Sequence, residues 1–153
     1  MVEQIQDSSI VVSVLKQGFN SSMIEVNGTA LHYVRGGNGP AILLIHGFPQ
    51  DWSEYHLIMP ELAEQFNVIS VDLPGIADST AHYGGFDAEN LAEDLYQLLF
   101  GLQLKDVYVV GHDVGGMVAY ALVRGHADVV RGAMSDDSRP GYSWNRWLGG
   151  DPR

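Results

Sequence analysis

The chain has 153 residues, 46% of them hydrophobic, and a formal net charge of −11, which is enough apolar side chain for one folded domain and an acidic balance that argues against nucleic acid or an anionic membrane surface as a partner. It contains no cysteine, so disulfides and thiolate metal sites are excluded. No apolar run approaches the roughly 20 residues of a membrane span, and the acidic start Met1-Val-Glu-Gln-Ile-Gln-Asp7 before the short run Ile10 to Leu15 does not read as a signal peptide, so the expected location is the cytoplasm.

Residues 1–22 read as an N-terminal extension. Met23 to Val26 and Ala30 to Arg35, joined through Asn27-Gly28, predict a hairpin with a type I′ turn. Gly36 to Pro40 is a loop. Ala41-Ile-Leu-Leu-Ile45 is apolar at every position, as a strand buried on both faces of a parallel sheet must be. Trp52 to about Gln65 predicts a helix with Leu57, Ile58, Leu62 and Phe66 on one face, interrupted by Pro60. Asn67 to Val71 is the next buried strand, and Asp72 to Ser79 a loop. Asp87 fits the N-cap of a helix whose apolar face is Leu91, Leu95, Leu98, Leu99 and Leu102. Val107 to Val110 predicts a strand, followed after a turn by a helix to Arg124, with Gly125 as its stop. A further strand starts near Val129-Val130 and decays, and residues 132–153 read as an irregular tail. A hairpin followed by alternating strands and helices is the pattern of a doubly wound, mostly parallel α/β sheet, with 23–131 as its core.

Two stretches carry chemistry. Gly111-His-Asp113-Val-Gly115-Gly116 joins strand to helix with a glycine two residues either side of Asp113. This is the nucleophile-elbow pattern, whose glycines let helix and strand approach and lift the central side chain above the sheet edge. Asp113 is thus the candidate nucleophile; the blander reading of an Asp after a strand is a helix N-cap. The second stretch, His46-Gly47-Phe48-Pro49, follows a buried strand directly and fits an oxyanion loop. Gly47 permits close approach and Pro49 stiffens the backbone. The N–H groups of Phe48 and of Val114, just after Asp113, then converge on one point.

His46-Gly-Phe-Pro-Gln-Asp-Trp52, Asp72-Leu-Pro-Gly75 with Asp78-Ser79, and Gly111-His-Asp-Val-Gly-Gly116 resemble the α/β-hydrolase superfamily, and within it the epoxide hydrolase-like branch. The resemblance runs from about Met23 to Arg131. It implies that Asp113 attacks an epoxide carbon to form a glycol ester, which a His oriented by a second acid then hydrolyses through water. It implies Phe48 and Val114 as oxyanion donors, a loop shaped by His46 and Gly47, a structural His112, small and fairly apolar epoxides as substrates, and no cofactor. Haloalkane dehalogenases of this fold tend to carry Trp after the Asp, and fluoroacetate-type dehalogenases Arg; Val114 fits neither. Ala77 stands where relatives usually have Gly.

A hydrolase triad runs nucleophile, acid, His along the chain. The sole histidine after Asp113 is His126, about three turns along the same helix and so expected far from it. Asp136 and Asp137 follow the sixth strand, where some relatives place their acid, but read as solvated tail acids. The family's last strands, catalytic His and cap tyrosines find no counterpart, and Tyr142 takes no cap role. The expectation is an α/β-hydrolase sheet truncated after about the sixth strand, with a frameshift or premature end behind the tail. Function is then a hydrolase impaired in its second step. The alternatives are an inactive fragment or pairing module that self-associates through an exposed sheet edge, or an ester or C–halogen hydrolase. His32, His56 and His82 show no recognised ligand spacing, so no metal is expected. Gly36-Gly-Asn-Gly39 lacks the Lys and Ser/Thr of a phosphate loop.

Overall fold

A computed structural model describes residues 8–81 and 85–136. Its strands are β1 (Asn20–Val26), β2 (Thr29–Gly36), β3 (Ala41–Ile45), β4 (Asn67–Val71), β5 (Val107–His112) and β6 (Val130–Asp136), and its helices α1 (Ser8–Leu15), α2 (Met59–Leu62), α3 (Ala88–Gly101) and α4 (Val114–Gly125). The strands form one sheet in the order β1-β2-β4-β3-β5-β6. β1 and β2 form the expected hairpin, with Met23 opposite His32. Asn27 and Gly28 have φ of 49° and 76°, both positive as a type I′ turn requires. β2 runs antiparallel to β4, while β3, β4, β5 and β6 are parallel.

Alternation along β3 builds two cores. Leu43 and Ile45 join Ile69, Val71 and Val109 under Leu91, Leu95 and Leu98 of α3 and Val118 and Leu122 of α4. Ile42 and Leu44 face the other way, with Val34, Val68, Trp52 and Met59. Both faces are therefore covered, which is why β3 carries no polar residue. α1 belongs to the second core through Val14, so part of the extension read at 1–22 is packed helix.

Two sequence readings are corrected. The helix expected from Trp52 to Gln65 is two short pieces, a 3-10 helix Trp52–Tyr55 and α2. Pro60 sits at the start of α2, where its missing N–H does no harm; inside a longer helix it would break the ladder. Residues 132–136, expected to be irregular, are strand: β6 continues to Asp136, and Gly132 to Asp136 pair in register with Tyr108 to His112 of β5. Backbone pairing and small side chains beside α4 do there what apolar periodicity does elsewhere. Residues 137–153, with Asp137 and Tyr142, lie outside the described residues, as does His82.

β3 connects onward to β4 on one side, and β5 to β6 on the other. The C-terminal ends of β3 and β5, paired through Ile45 and Gly111, therefore flank a topological switch point, where open α/β sheets bind ligands. No helix among the described residues is long and apolar enough to cross a membrane.

Candidate active site

The turn between β5 and α4 is strained. Asp113 has φ 51° and ψ −116°, a region closed to most side chains and worth on the order of 1–3 kcal/mol of strain. Its neighbours over-determine it. The Asp113 N–H donates to the carbonyl of Asp136 at 2.9 Å, and its own carbonyl accepts from Gly116 and Met117 at 3.0 and 3.2 Å. A Cβ at Gly111 would strike the Gly115 carbonyl, and one at Gly115 the Ile45 carbonyl, so helix and strand meet only because both are glycine. Asp113 occupies the N-cap position of α4, yet its side chain makes no cap hydrogen bond. Instead Oδ2 accepts the Phe48 N–H at 3.2 Å. The elbow and the loop after β3, 65 residues apart in sequence, thus meet at one carboxylate oxygen.

That loop is held at several points. His46 is 2% exposed. Its Nε2 accepts the Leu73 N–H at 3.0 Å, so the ring proton sits on Nδ1, which donates to the Gly47 carbonyl at 2.8 Å. The Gln50 N–H donates to the same carbonyl at 3.0 Å. The Phe48–Pro49 bond is cis. The Tyr55 hydroxyl donates to the Ile45 carbonyl at 3.0 Å and secures the end of β3. Burial pushes the Tyr55 hydroxyl well above its ordinary pKa, and the charges of Glu54 and Asp136 push it further, so it stays a donor. Val114 contributes the first amide of α4, one of those that a helix leaves without an internal partner.

Beneath the loop lies a buried polar chain. Asp72, fully buried, accepts the Trp52 N–H on Oδ1 at 2.8 Å and contacts His32 Nδ1 through Oδ2 at 2.7 Å. His32 Nε2 lies 2.7 Å from the Ser21 hydroxyl. His32, Asp72 and Asp78 bring three potential ligand atoms within 4.8 Å of one another, but both Asp72 oxygens are already engaged in bracing the loop and the 3-10 helix. The sequence gives no hint of this pairing, since 40 residues separate its partners.

Of the residues singled out from sequence, His46, Gly47, Phe48 and Asp113 converge. His126 does not join them. It caps the far end of α4, lies 2.8 Å from Glu93 Oε2 and stacks on Tyr96 with ring centroids 3.6 Å apart. The Gln97 amide, and after it His126, hold the Glu93 carboxyl below its ordinary range, against the opposing effect of partial burial. Glu54 escaped the sequence reading altogether. Its Oε2 accepts the Gly47 N–H at 2.8 Å, and its Oε1 lies 2.6 Å from His112 Nδ1.

A family model described as alpha/beta hydrolase fold matches residues 40–151. A soluble epoxide hydrolase of Corynebacterium sp. (strain C12) is 41% identical over 116 residues, covering 76% of this chain and 41% of that protein. A fluoroacetate dehalogenase of Burkholderia sp. is 33% identical over 131 residues, covering 82% of this chain and 43% of that protein. The chain thus spans about two fifths of the length of these two relatives. Among solved structures, the epoxide hydrolase CorEH without ligand superposes with a TM-score of 0.75 at 38% identity, over 76% of this chain and 41% of that one.

Proposed function

The chain belongs to the alpha/beta hydrolase fold family, and we propose that Asp113 is its nucleophile, opening small, fairly apolar epoxides to a covalent ester. The observation that carries this reading is the Phe48 N–H on Asp113 Oδ2, at an elbow whose strained backbone turns the carboxylate away from the helix. Oδ2, on the Phe48 N–H, takes the place of the ester carbonyl oxygen, and we assign Oδ1 as the attacking oxygen. It bonds to an epoxide carbon, the ring C–O bond breaks, and the alkoxide takes a proton from solvent. Oδ2 becomes the ester carbonyl. When water later adds to Asp113 Cγ, negative charge develops on that oxygen, which the Phe48 N–H contacts, and we assign the Val114 amide as its second donor. His46, Gly47 and Pro49 shape the donor loop. No cofactor enters this chemistry.

Hydrolysis of the ester needs a general base. His126, the sole histidine after Asp113 in this sequence, is committed to Glu93 at the opposite end of α4. In this chain the ester therefore accumulates. Intact mass after incubation with a reactive aryl epoxide tests the reading, with Asp113→Asn as control. A single adduct at Asp113, absent from the variant, supports it. Diol release without an adduct overturns the stalled ester, and unmodified protein without diol overturns the nucleophile.

The likeness to a fluoroacetate dehalogenase favours a second reading, in which the same carboxylate displaces halide from a haloacid. Val114, aliphatic beside the nucleophile, gives such a substrate's carboxylate no cation, so the epoxide reading stands first. Incubation with chloroacetate separates the two: halide release with a carboxymethyl adduct at Asp113 would reverse the order.

A further inference from the structure

We infer that Glu54 is a positioning residue, which clamps the oxyanion loop to the elbow through one carboxylate; the inference rests on the reading of Asp113 and Phe48 given above. Its two oxygens go to the two residues that precede the working groups. Oε2 accepts the N–H of Gly47, before the Phe48 donor, at 2.8 Å. Oε1 lies 2.6 Å from Nδ1 of His112, before Asp113. Glycine is required between them. A Cβ at Gly47 would lie 2.7 Å from His112 Nδ1 and 3.0 Å from Asp113 Cβ, so any larger residue pushes loop and elbow apart. Glycine also leaves the backbone freest to turn, and the Phe48 N–H aims at Asp113 only for one setting of the Gly47–Phe48 peptide. His46 and Gln50 fix that peptide at its carbonyl. Glu54 fixes the preceding His46–Gly47 peptide at its N–H and lies against His112 at the end of β5.

Glu54 is itself well founded. The 3-10 helix that carries it is capped by Asp51, whose Oδ1 accepts the Ser53 N–H at 2.8 Å and the Ser53 hydroxyl at 2.6 Å. Trp52, next to it, donates its N–H to buried Asp72 and accepts the Ser70 hydroxyl on its carbonyl at 2.9 Å. The Glu54 side chain is only 18% exposed.

Glu54→Ala removes both contacts, while Glu54→Gln keeps an acceptor for Gly47 and a polar group of the same size facing His112. The expected result is that Glu54→Ala alkylates Asp113 roughly 10- to 100-fold more slowly at saturating epoxide, with the half-saturating concentration and the melting temperature little changed. Glu54→Gln should stay within about 3-fold of wild type. Amide hydrogen exchange of Gly47 and Phe48, followed by NMR, should quicken in Glu54→Ala and not in Glu54→Gln. Wild-type labelling rates in Glu54→Ala, or equal damage in both variants, would overturn the clamp. Should the wild-type protein not be labelled at Asp113 at all, the nucleophile reading fails by itself. Exchange at Gly47 and Phe48 then still decides the clamp, and unchanged exchange in Glu54→Ala overturns it.

Discussion

Gly47→Ala puts the meeting of loop and elbow to a sharp test. The new methyl would lie 2.7 Å from His112 Nδ1 and 3.0 Å from Asp113 Cβ. Ordinary van der Waals contact needs roughly 3.5 Å, so the loop must retreat by about 0.8 Å. A retreat of that size stretches the 3.2 Å bond from the Phe48 N–H to Asp113 Oδ2 beyond hydrogen-bond range. Misplacing a reacting group by about 1 Å is worth up to roughly 100-fold in rate, or close to 2.7 kcal/mol of barrier. Gly47 is not among the residues of positive φ, so alanine brings no backbone strain, and the loop has solvent to move into. Stability should therefore change by less than about 1 kcal/mol. The assay is a time course of Asp113 ester formation by intact mass, beside thermal melts of the same preparations. Labelling at the wild-type rate in a protein of unchanged melting temperature would refute the argument, since the loop would then have no bearing on the nucleophile.

Asp113→Gly should abolish labelling and at the same time raise stability by about 1 kcal/mol, because glycine accepts φ 51° and ψ −116° without the strain that aspartate bears; a less stable variant in urea titration would contradict a strained elbow. Asp72→Ala leaves the Trp52 N–H and the His32 ring buried without their acceptor, and should lower stability by about 3–5 kcal/mol; a loss under about 1 kcal/mol would show that water replaces the carboxylate. Glu93 is held below its ordinary value of 4.5, first by Gln97 and then by His126. A carboxyl depressed on folding stabilises above its unfolded pKa, and that stability is lost as pH falls through the folded value. Melting temperatures of Glu93→Gln and wild type should differ at pH 6 and converge as the pH drops below 4.5; a constant gap would sink this assignment.

What could be read from sequence is what is written locally. Ala41 to Ile45 and Val107 to Val110 announce buried strands because each residue must suit two covered faces. The glycines around Asp113 announce the elbow because its steric demand falls within six residues. Asp87 and the Leu91 to Leu99 stripe announce α3 because cap and amphipathic face lie in one window. The rest is settled at a distance. Glu54 looks like any solvated helix charge until the packing of the 3-10 helix brings it against Gly47 and His112. His32 and Asp72 meet because β2 and β4 are neighbours in the sheet, a fact of topology that no spacing records. β6 lost its signal because Arg131, Met134 and Asp136 are exposed, and Ser135 lies so close to Gly116 of α4 that a Cβ on that glycine would strike its hydroxyl.

The backbone of Asp113 ends on the carbonyl of Asp136, the last residue of β6. Among the described residues β6 pairs with one strand, β5, at the edge of the sheet. An edge strand offers a row of N–H and C=O groups to any strand that lies down beside it. Such a strand would straighten or bend β6, and the first residue to feel it at the upper end would be Asp136. One hydrogen bond of 2.9 Å then passes the movement to the amide that keeps the nucleophile in its unfavourable conformation. A shift of β6 at its upper end would therefore reach the Asp113 backbone through that one bond.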